Sequence, residues 1–209
     1  DGDADLTRVW IAVFGNKSGS VVLYAMLPDT QEQALRTAMR NTLLGAKWDP
    51  SSAVDWFAGL GCDLLVDSIA TLSVAARMGP TVVITPEGRF KSAKVSDGQF
   101  TLTIDEESMG VMDMQELARR ELYQAQGVRV EAVEAIRPLA HRGLEGSYAE
   151  AAGRDVVSGE TVRVGQWVLT DEKRMYVMQG VVADSQWEQM QESFERLAMS
   201  FRQRAAGTW

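Results

Sequence analysis

The pattern that most constrains this chain is a strand–turn–strand–helix unit that occurs twice. One copy runs from Thr7 to Trp48 and the other from Thr161 to Arg202. Each opens with alternating apolar residues, turns at a polar stretch (Gly15–Gly19 in one, Thr170–Lys173 in the other) and continues in a second apolar run. Each then enters a helix through matched caps, Asp29-Thr30-Gln31 and Asp184-Ser185-Gln186. Alternation with period two predicts strands with one buried face. A carboxylate or hydroxyl at the cap position accepts a hydrogen bond from a free N–H of the first helical turn. Self-similarity of this kind predicts a duplicated scaffold in which each hairpin keeps its own helix.

Between the two copies the period changes several times. Gln31–Lys47 places Ala34, Leu35, Ala38, Met39, Leu43 and Leu44 at helical spacing. Ala53–Met78 carries Val54, Phe57, Leu60, Leu64, Ile69, Leu72 and Ala75, which reads as a second helical stretch, bent or divided at Gly59 and Gly61 and stopped by Gly79-Pro80. From Thr81 the spacing predicts strands over Val82–Thr85, Arg89–Val95 and Phe100–Ile104, separated by turns at Pro86-Glu87-Gly88 and Asp97-Gly98. A helix over Met112–Gln126 stops at Gly127, and strands over Arg129–Ile136 and Gly143–Ala151 lead into the second repeat. The fold class is α+β, with mostly antiparallel sheet flanked by helices. No low-complexity linker marks a boundary, so two closely packed lobes are expected, 1–90 and 91–209, divided near Pro86–Asp97.

Charge and composition exclude several functions. The 209 residues are 45% hydrophobic, enough for a substantial core without disulfides or metal. Twenty-nine acidic residues outnumber 21 basic ones for a net charge of −8, and no basic stripe is present to neutralise phosphates, so nucleic acid is not an expected partner. The longest weakly charged stretch, Leu64–Ala76, contains Asp67 and is too short to cross a bilayer. The chain opens Asp1-Gly2-Asp3-Ala4-Asp5, a polar acidic start of the kind left after signal-peptide removal, and a trimmed chain would begin the same way. The expected setting is periplasmic or otherwise extracytoplasmic, while the single Cys62 fits either compartment.

The run from Arg174 to Phe201 resembles the closing strand and helix of the PsbP/DcrB-like superfamily. The matching features are the apolar strand Met175–Met178, the small and acidic turn Ala183–Ser185, the early aromatic Trp187 and the terminal Ser200-Phe201. The strand ending near Ile104, the helix near Met112–Gln126 and the strand Gly143–Ala151 follow in a similar order, so the resemblance covers roughly residues 98–202. Thr7–Trp48 matches the family's ending with no family beginning before it, as a duplication, a permutation or a coincidence would. The resemblance implies an antiparallel sheet flanked by helices, an extracytoplasmic setting and the binding of other proteins. It implies no catalytic set.

Chemical motifs are sparse. The opening Asp1–Asp5 imitates a calcium loop, but Leu6 and Ala12 stand where that loop needs Gly and a bidentate Glu. Gly59-Leu60-Gly61 lacks a preceding strand and the third glycine of a dinucleotide loop, and Gly15-Asn16-Lys17-Ser18-Gly19 reads as a hairpin turn rather than a phosphate loop. The only histidine, His141, would need a distant nucleophile such as Ser147 or Cys62, and its neighbours Pro138 and Arg142 predict an exposed turn. Cys62 reads as a packed, inert thiol whose neighbour Asp63 raises its pKa. Asp63 and Asp67 share a helix face in this reading, as a solvated pair or as a shared-proton pair. Trp48, Trp56 and Phe57 form a candidate aromatic corner for partner binding, with core packing as the competing reading of the same rings.

The resulting expectation is a non-enzymatic protein that binds another protein or serves as an accessory in envelope assembly, with no cofactor and no metal. The alternative is a hydrolase or small-ligand-binding protein with a site between the lobes near His141. Self-association is compatible with the sequence.

The terminal helix places Trp187, Met190, Phe194, Leu197 and Phe201 in one apolar seam. Trp187→Ala is therefore expected to lower stability by about 3–5 kcal/mol. An unchanged urea midpoint would show that the seam faces solvent or a partner instead.

Overall fold

The first repeat folds as its alternation dictates. β1 (Thr7–Asn16) and β2 (Gly19–Pro28) pair antiparallel in unbroken register, from Thr7 opposite Pro28 to Asn16 opposite Gly19. Helix α1 (Asp29–Gly45) follows directly and lies against both strands. The structure, a computed structural model, describes residues 7–16, 19–46, 54–105 and 113–204, and the chain divides into units 1–54 and 55–209. A two-stranded ribbon has two faces and α1 covers only one of them. Trp10 and Ala12 of β1 are half-buried, whereas Val9, Ile11 and Val13 on its other side are exposed.

The unit from residue 55 onward begins where the expected second helix fails to form. Gly59 (φ 75°) and Gly61 (φ 69°) both adopt the left-handed conformation, which disfavours a side chain and breaks a helix. In place of that helix stand β3 (Cys62–Asp63), a 3₁₀ turn at Val66–Ser68 and β4 (Ser73–Met78), followed by β5 (Thr81–Thr85). The apolar stripe is still buried, since Phe57, Leu60, Leu64, Ile69 and Leu72 all enter the core, but turns and short strands deliver them. Arg89–Val95 is not a strand either. The Thr85 hydroxyl accepts from the Arg89 N–H and donates to the Arg89 carbonyl, both at 3.1 Å, which folds this loop back on β5 before a 3₁₀ turn at Val95–Asp97.

The remaining elements are β6 (Gln99–Asp105), α2 (Met114–Tyr123), β7 (Val128–His141), β8 (Leu144–Asp155), β9 (Thr161–Thr170), β10 (Met175–Ala183), α3 (Trp187–Met199) and β11 (Arg202–Gln203). Asp113 caps α2, its Oδ1 accepting from the Gln115 N–H at 2.8 Å. Seven strands form one antiparallel sheet in the order β4-β5-β6-β10-β9-β8-β7, and β11 pairs with β3. β5 and β6 flank the expected lobe boundary near Pro86–Asp97, yet they are paired from Thr81 opposite Thr103 to Ile84 opposite Phe100. Both sides of that stretch therefore belong to one sheet, and the division of the chain falls between Val54 and Asp55 instead of near residue 90.

The second repeat, β9-β10-α3, occupies the middle of this sheet and keeps the succession of elements of the first. On β9 and β10, Gly165 and Gly180 stand opposite one another. A side chain at either position would collide with an aromatic ring: a Cβ on Gly180 would lie 2.5 Å from Phe194, and one on Gly165 would lie 2.9 Å from Trp187. The glycine pair is thus a flat seat for α3, whose Trp187, Phe194 and Leu197 join Phe100, Leu102, Trp167, Tyr176 and Met178 in one core. Gly180→Ala should cost about 1–3 kcal/mol through overpacking against Phe194. A wild-type unfolding midpoint in urea would show that the ring does not depend on this seat.

Candidate functional site

The other face of the large sheet is covered unevenly. α2 lies over β7, β8 and β9, burying Val128, Ala149, Ala151, Val162, Val164 and Val168. Among the described residues no helix lies over β5 and β6 on this side. The sequence there alternates accordingly: Phe100, Leu102 and Ile104 of β6 point into the α3-side core, while Gln99, Thr101, Thr103 and Asp105 are only partly buried on the opposite face. The result is a groove of about 350 Å³. Its floor is this row together with Thr81 and Val83 of β5 and Met175, Val177 and Gln179 of β10. Glu121, Gln124 and Gln126 form one wall, and the exposed side chains of Met78 and Phe90 form the opposite rim.

A polar network anchors the floor. Gln166, fully buried, donates from Nε2 to the Ala118 carbonyl of α2 at 2.8 Å and accepts from Gln179 Nε2 at 2.6 Å. Gln179 is the register partner of Gln166 on one side and of Thr101 on the other, and Thr101 in turn pairs with Val83. One cross-strand row therefore runs from beneath α2 into the groove. The hydroxyls of Thr81 and Thr103 lie 3.1 Å apart. Among the described residues the lining holds two ionisable groups, Asp105 and Glu121, and Glu121 is ion-paired with Arg120 at 3.1 Å.

A second cavity, of about 370 Å³, is lined by Gly61, residues 171–174, Tyr176, Gln203 and Arg204. Here the polar groups serve the fold. Asp171 accepts from the Tyr176 hydroxyl at 2.9 Å, from Gln203 Nε2 at 2.6 Å and from the N–H groups of Lys173 and Arg174 at 2.8 Å. Burial pushes the Asp171 carboxyl up, but these donors outweigh it and hold the group below the ordinary carboxylate range. Arg204 binds both Asp55 and Asp63, tying the end of α3's connection to the start of the unit.

The residues singled out by sequence do not converge. Trp48 lies outside the described residues, Trp56 is half-buried against the core, and Phe57 is a core residue with its ring buried, so Phe57 is not offered to a partner. His141 is not in a free turn. It ends β7, half-buried, with Nε2 2.9 Å from the Phe201 carbonyl, and because a carbonyl only accepts, that nitrogen carries the proton. His141 lines neither cavity. Ser147 is fully buried opposite Pro138, and Cys62 is fully buried with its thiol pushed up to about 12 by burial and by Asp63. Asp63 and Asp67 share no helix: Asp63 sits on β3, ion-paired with Arg204 at 2.5 Å and Arg202 at 3.3 Å, and Asp67 sits in the 3₁₀ turn. The groove was not anticipated. Its signal was the row of polar residues at every second position of β6.

Among the described residues no group of three or more His, Cys, Asp or Glu side chains is placed to hold a metal ion, and no helix is long and apolar enough to cross a membrane. No family model matches the chain, and no curated protein matches it in sequence. Solved structures do match. The chain is similar to PA94, a Pseudomonas aeruginosa protein of unknown function, at 8% identity and a TM-score of 0.45, over 94% of this chain and 99% of that one. It is similar to the cyanobacterial PsbP of Synechocystis sp. PCC 6803 at 12% identity and 0.41, over 74% and 99% of the respective chains. It is also similar to LpqN, involved in cell envelope biogenesis of Mycobacterium tuberculosis, at 13% identity and 0.46, over 75% and 87%. The matched structures thus include a PsbP protein, the group that the C-terminal residues resemble. At these identities the similarity is one of fold, and no residue role passes from any of them to this chain.

Gln166→Ala is expected to cost about 1–3 kcal/mol, because it removes the buried amide that joins Gln179 to α2 and leaves Gln179 Nε2 with only its 3.5 Å contact to the Glu121 carbonyl. Urea unfolding followed by circular dichroism measures this, and a loss below about 0.5 kcal/mol would show that the network does not anchor the floor.

Proposed function

We propose that this chain is a non-catalytic accessory protein of the cell envelope that holds a segment of another protein in the groove between α2 and β5. The observation that carries this reading is the uneven covering of the sheet. Beside a fully packed half, β5 and β6 present hydrogen-bonding side chains on a rigid floor, between a helix wall and the exposed Met78 and Phe90. Methionine and aromatic side chains are enriched where proteins meet one another. A floor whose rotamers are already fixed by the Gln166–Gln179 pair loses little freedom on binding. The extracytoplasmic setting rests on the resemblance carried by Trp187 and Ser200-Phe201.

A photo-crosslinking amino acid placed at Thr101 on the groove floor tests the reading, with Glu188 on the exposed side of α3 as the control position. In cells expressing the chain, a discrete protein adduct in the envelope fraction is expected from position 101 and not from 188. Equal labelling from both positions, or none from 101, would show that the groove holds no protein partner.

A further inference from the structure

We infer that two copies of this chain pair edge to edge through β1, antiparallel about a two-fold axis at Ile11, and so form one four-stranded sheet in the order β2-β1-β1-β2. The first observation is that the ribbon is a sheet of two strands only. Among the described residues no strand lies beside β1 on the side away from β2. Outward N–H and C=O groups along such an edge are a template for a further strand.

The molecule guards its other edges and leaves this one open. β4, at one edge of the large sheet, has a register break between Val74 and Ala76, and its Arg77 turns back to the Ala58 carbonyl at 2.5 Å. β7, at the other edge, has two such breaks, contains Pro138 and carries Arg129, Glu131, Glu134 and Arg137. Breaks, proline and charge are the devices that keep an edge from pairing. β1 runs for ten residues in unbroken register without proline, and Arg8 is its one charged residue. β2 ends at Pro28, so β1 is the more open of the ribbon's two edges.

The side chains select both the occupant and the register. Val9, Ile11 and Val13 are 52%, 64% and 65% exposed in a row along one face of β1. Residues directly opposite in antiparallel strands share a face. A two-fold axis at Ile11 therefore sets Ile11 against Ile11 of the second copy, and Val9 against Val13 on either side of it. β-branched residues facing one another in this way stabilise the pairing. Arg8 falls opposite Phe14 of the second copy, so no like charges meet. A shift of two residues in one direction would leave Val9 opposite Gly15, and in the other Val13 opposite Thr7. The row is complementary to itself in one register, and that makes a second copy the occupant.

Sedimentation velocity of the full chain in the micromolar range is expected to show a dimer. Ile11→Lys sets lysine against lysine at the axis and should weaken the dimer at least about tenfold, with circular dichroism confirming that the variant folds. Cysteine cross-linking reads the register. Facing Cα atoms in antiparallel strands lie about 4.5–5.5 Å apart, within reach of a disulfide, and the native Cys62 is fully buried. Under mild oxidation Ile11→Cys is expected to link two copies, as is a mixture of Val9→Cys and Val13→Cys. Val9→Cys alone should not, because its two copies stand four residues apart along the strands, about 14 Å. A chain that stays monomeric throughout the micromolar range, a dimer indifferent to Ile11→Lys, or Val9→Cys linking as readily as Ile11→Cys would overturn the inference. If Ile11→Lys does not fold, the cross-linking pattern decides the matter by itself.

Discussion

Two absent side chains set the geometry of the larger unit. Gly165 and Gly180 face one another at the centre of the sheet, and the rings of Trp187 and Phe194 rest where their Cβ atoms would be. With the rings that close, the whole apolar seam of α3 reaches the strands, and Leu197, Ala198 and Phe201 are completely buried. Phe201 then packs against Tyr176 with the rings tilted at 56° and 4.8 Å between centroids, and its carbonyl receives His141. The end of the chain continues into β11, which pairs with β3, so the seat of one helix also determines where the first segment of the unit is tied down.

The opposite face follows a different rule. One helix of ten residues cannot cover seven strands, and α2 is placed over β7, β8 and β9, where the residues beneath it are small or β-branched. The strands it leaves uncovered carry threonine and glutamine in the positions where their neighbours carry valine and alanine. The boundary between the two halves is the Gln166–Gln179 pair, one member fully buried under the helix and the other on the groove floor. A polar residue beneath a helix is costly unless both ends are satisfied. Here it is satisfied, and it couples the position of α2 to the shape of the floor.

Legibility in the sequence followed the range of the interactions involved. The alternation in Thr161–Thr170 and Met175–Ala183 and the seam from Trp187 to Phe201 are local periodicities, and they folded as read. Ala53–Met78 misled because its apolar spacing suits a helix, while Gly59 and Gly61 take left-handed conformations that break one, and at Gly61 the Arg174 side chain fills the place of a Cβ. Arg89–Val95 has strand-like composition, but the N–H and carbonyl of Arg89 bond the Thr85 hydroxyl and the Lys94 N–H bonds the Ser92 hydroxyl instead of a neighbouring strand. The pairing of β5 with β6, distant in sequence, joins the two sides of the turn-rich stretch near residue 90 in one sheet. The polar alternation of Gln99–Asp105 identified a strand with one polar face. That the face forms a groove depends on where α2 ends, which no window of sequence around β6 contains.

Burial of Cys62 has a consequence for how the protein is handled after synthesis. Thiol–disulfide exchange requires a thiolate within reach of another sulfur, and this thiol is sealed from solvent with its pKa pushed up to about 12 by burial and by Asp63. In the folded chain Cys62 therefore offers no accessible thiolate for exchange. Cys62 sits on β3, paired opposite Gln203 of β11, so exposing its sulfur requires opening the core around that pairing.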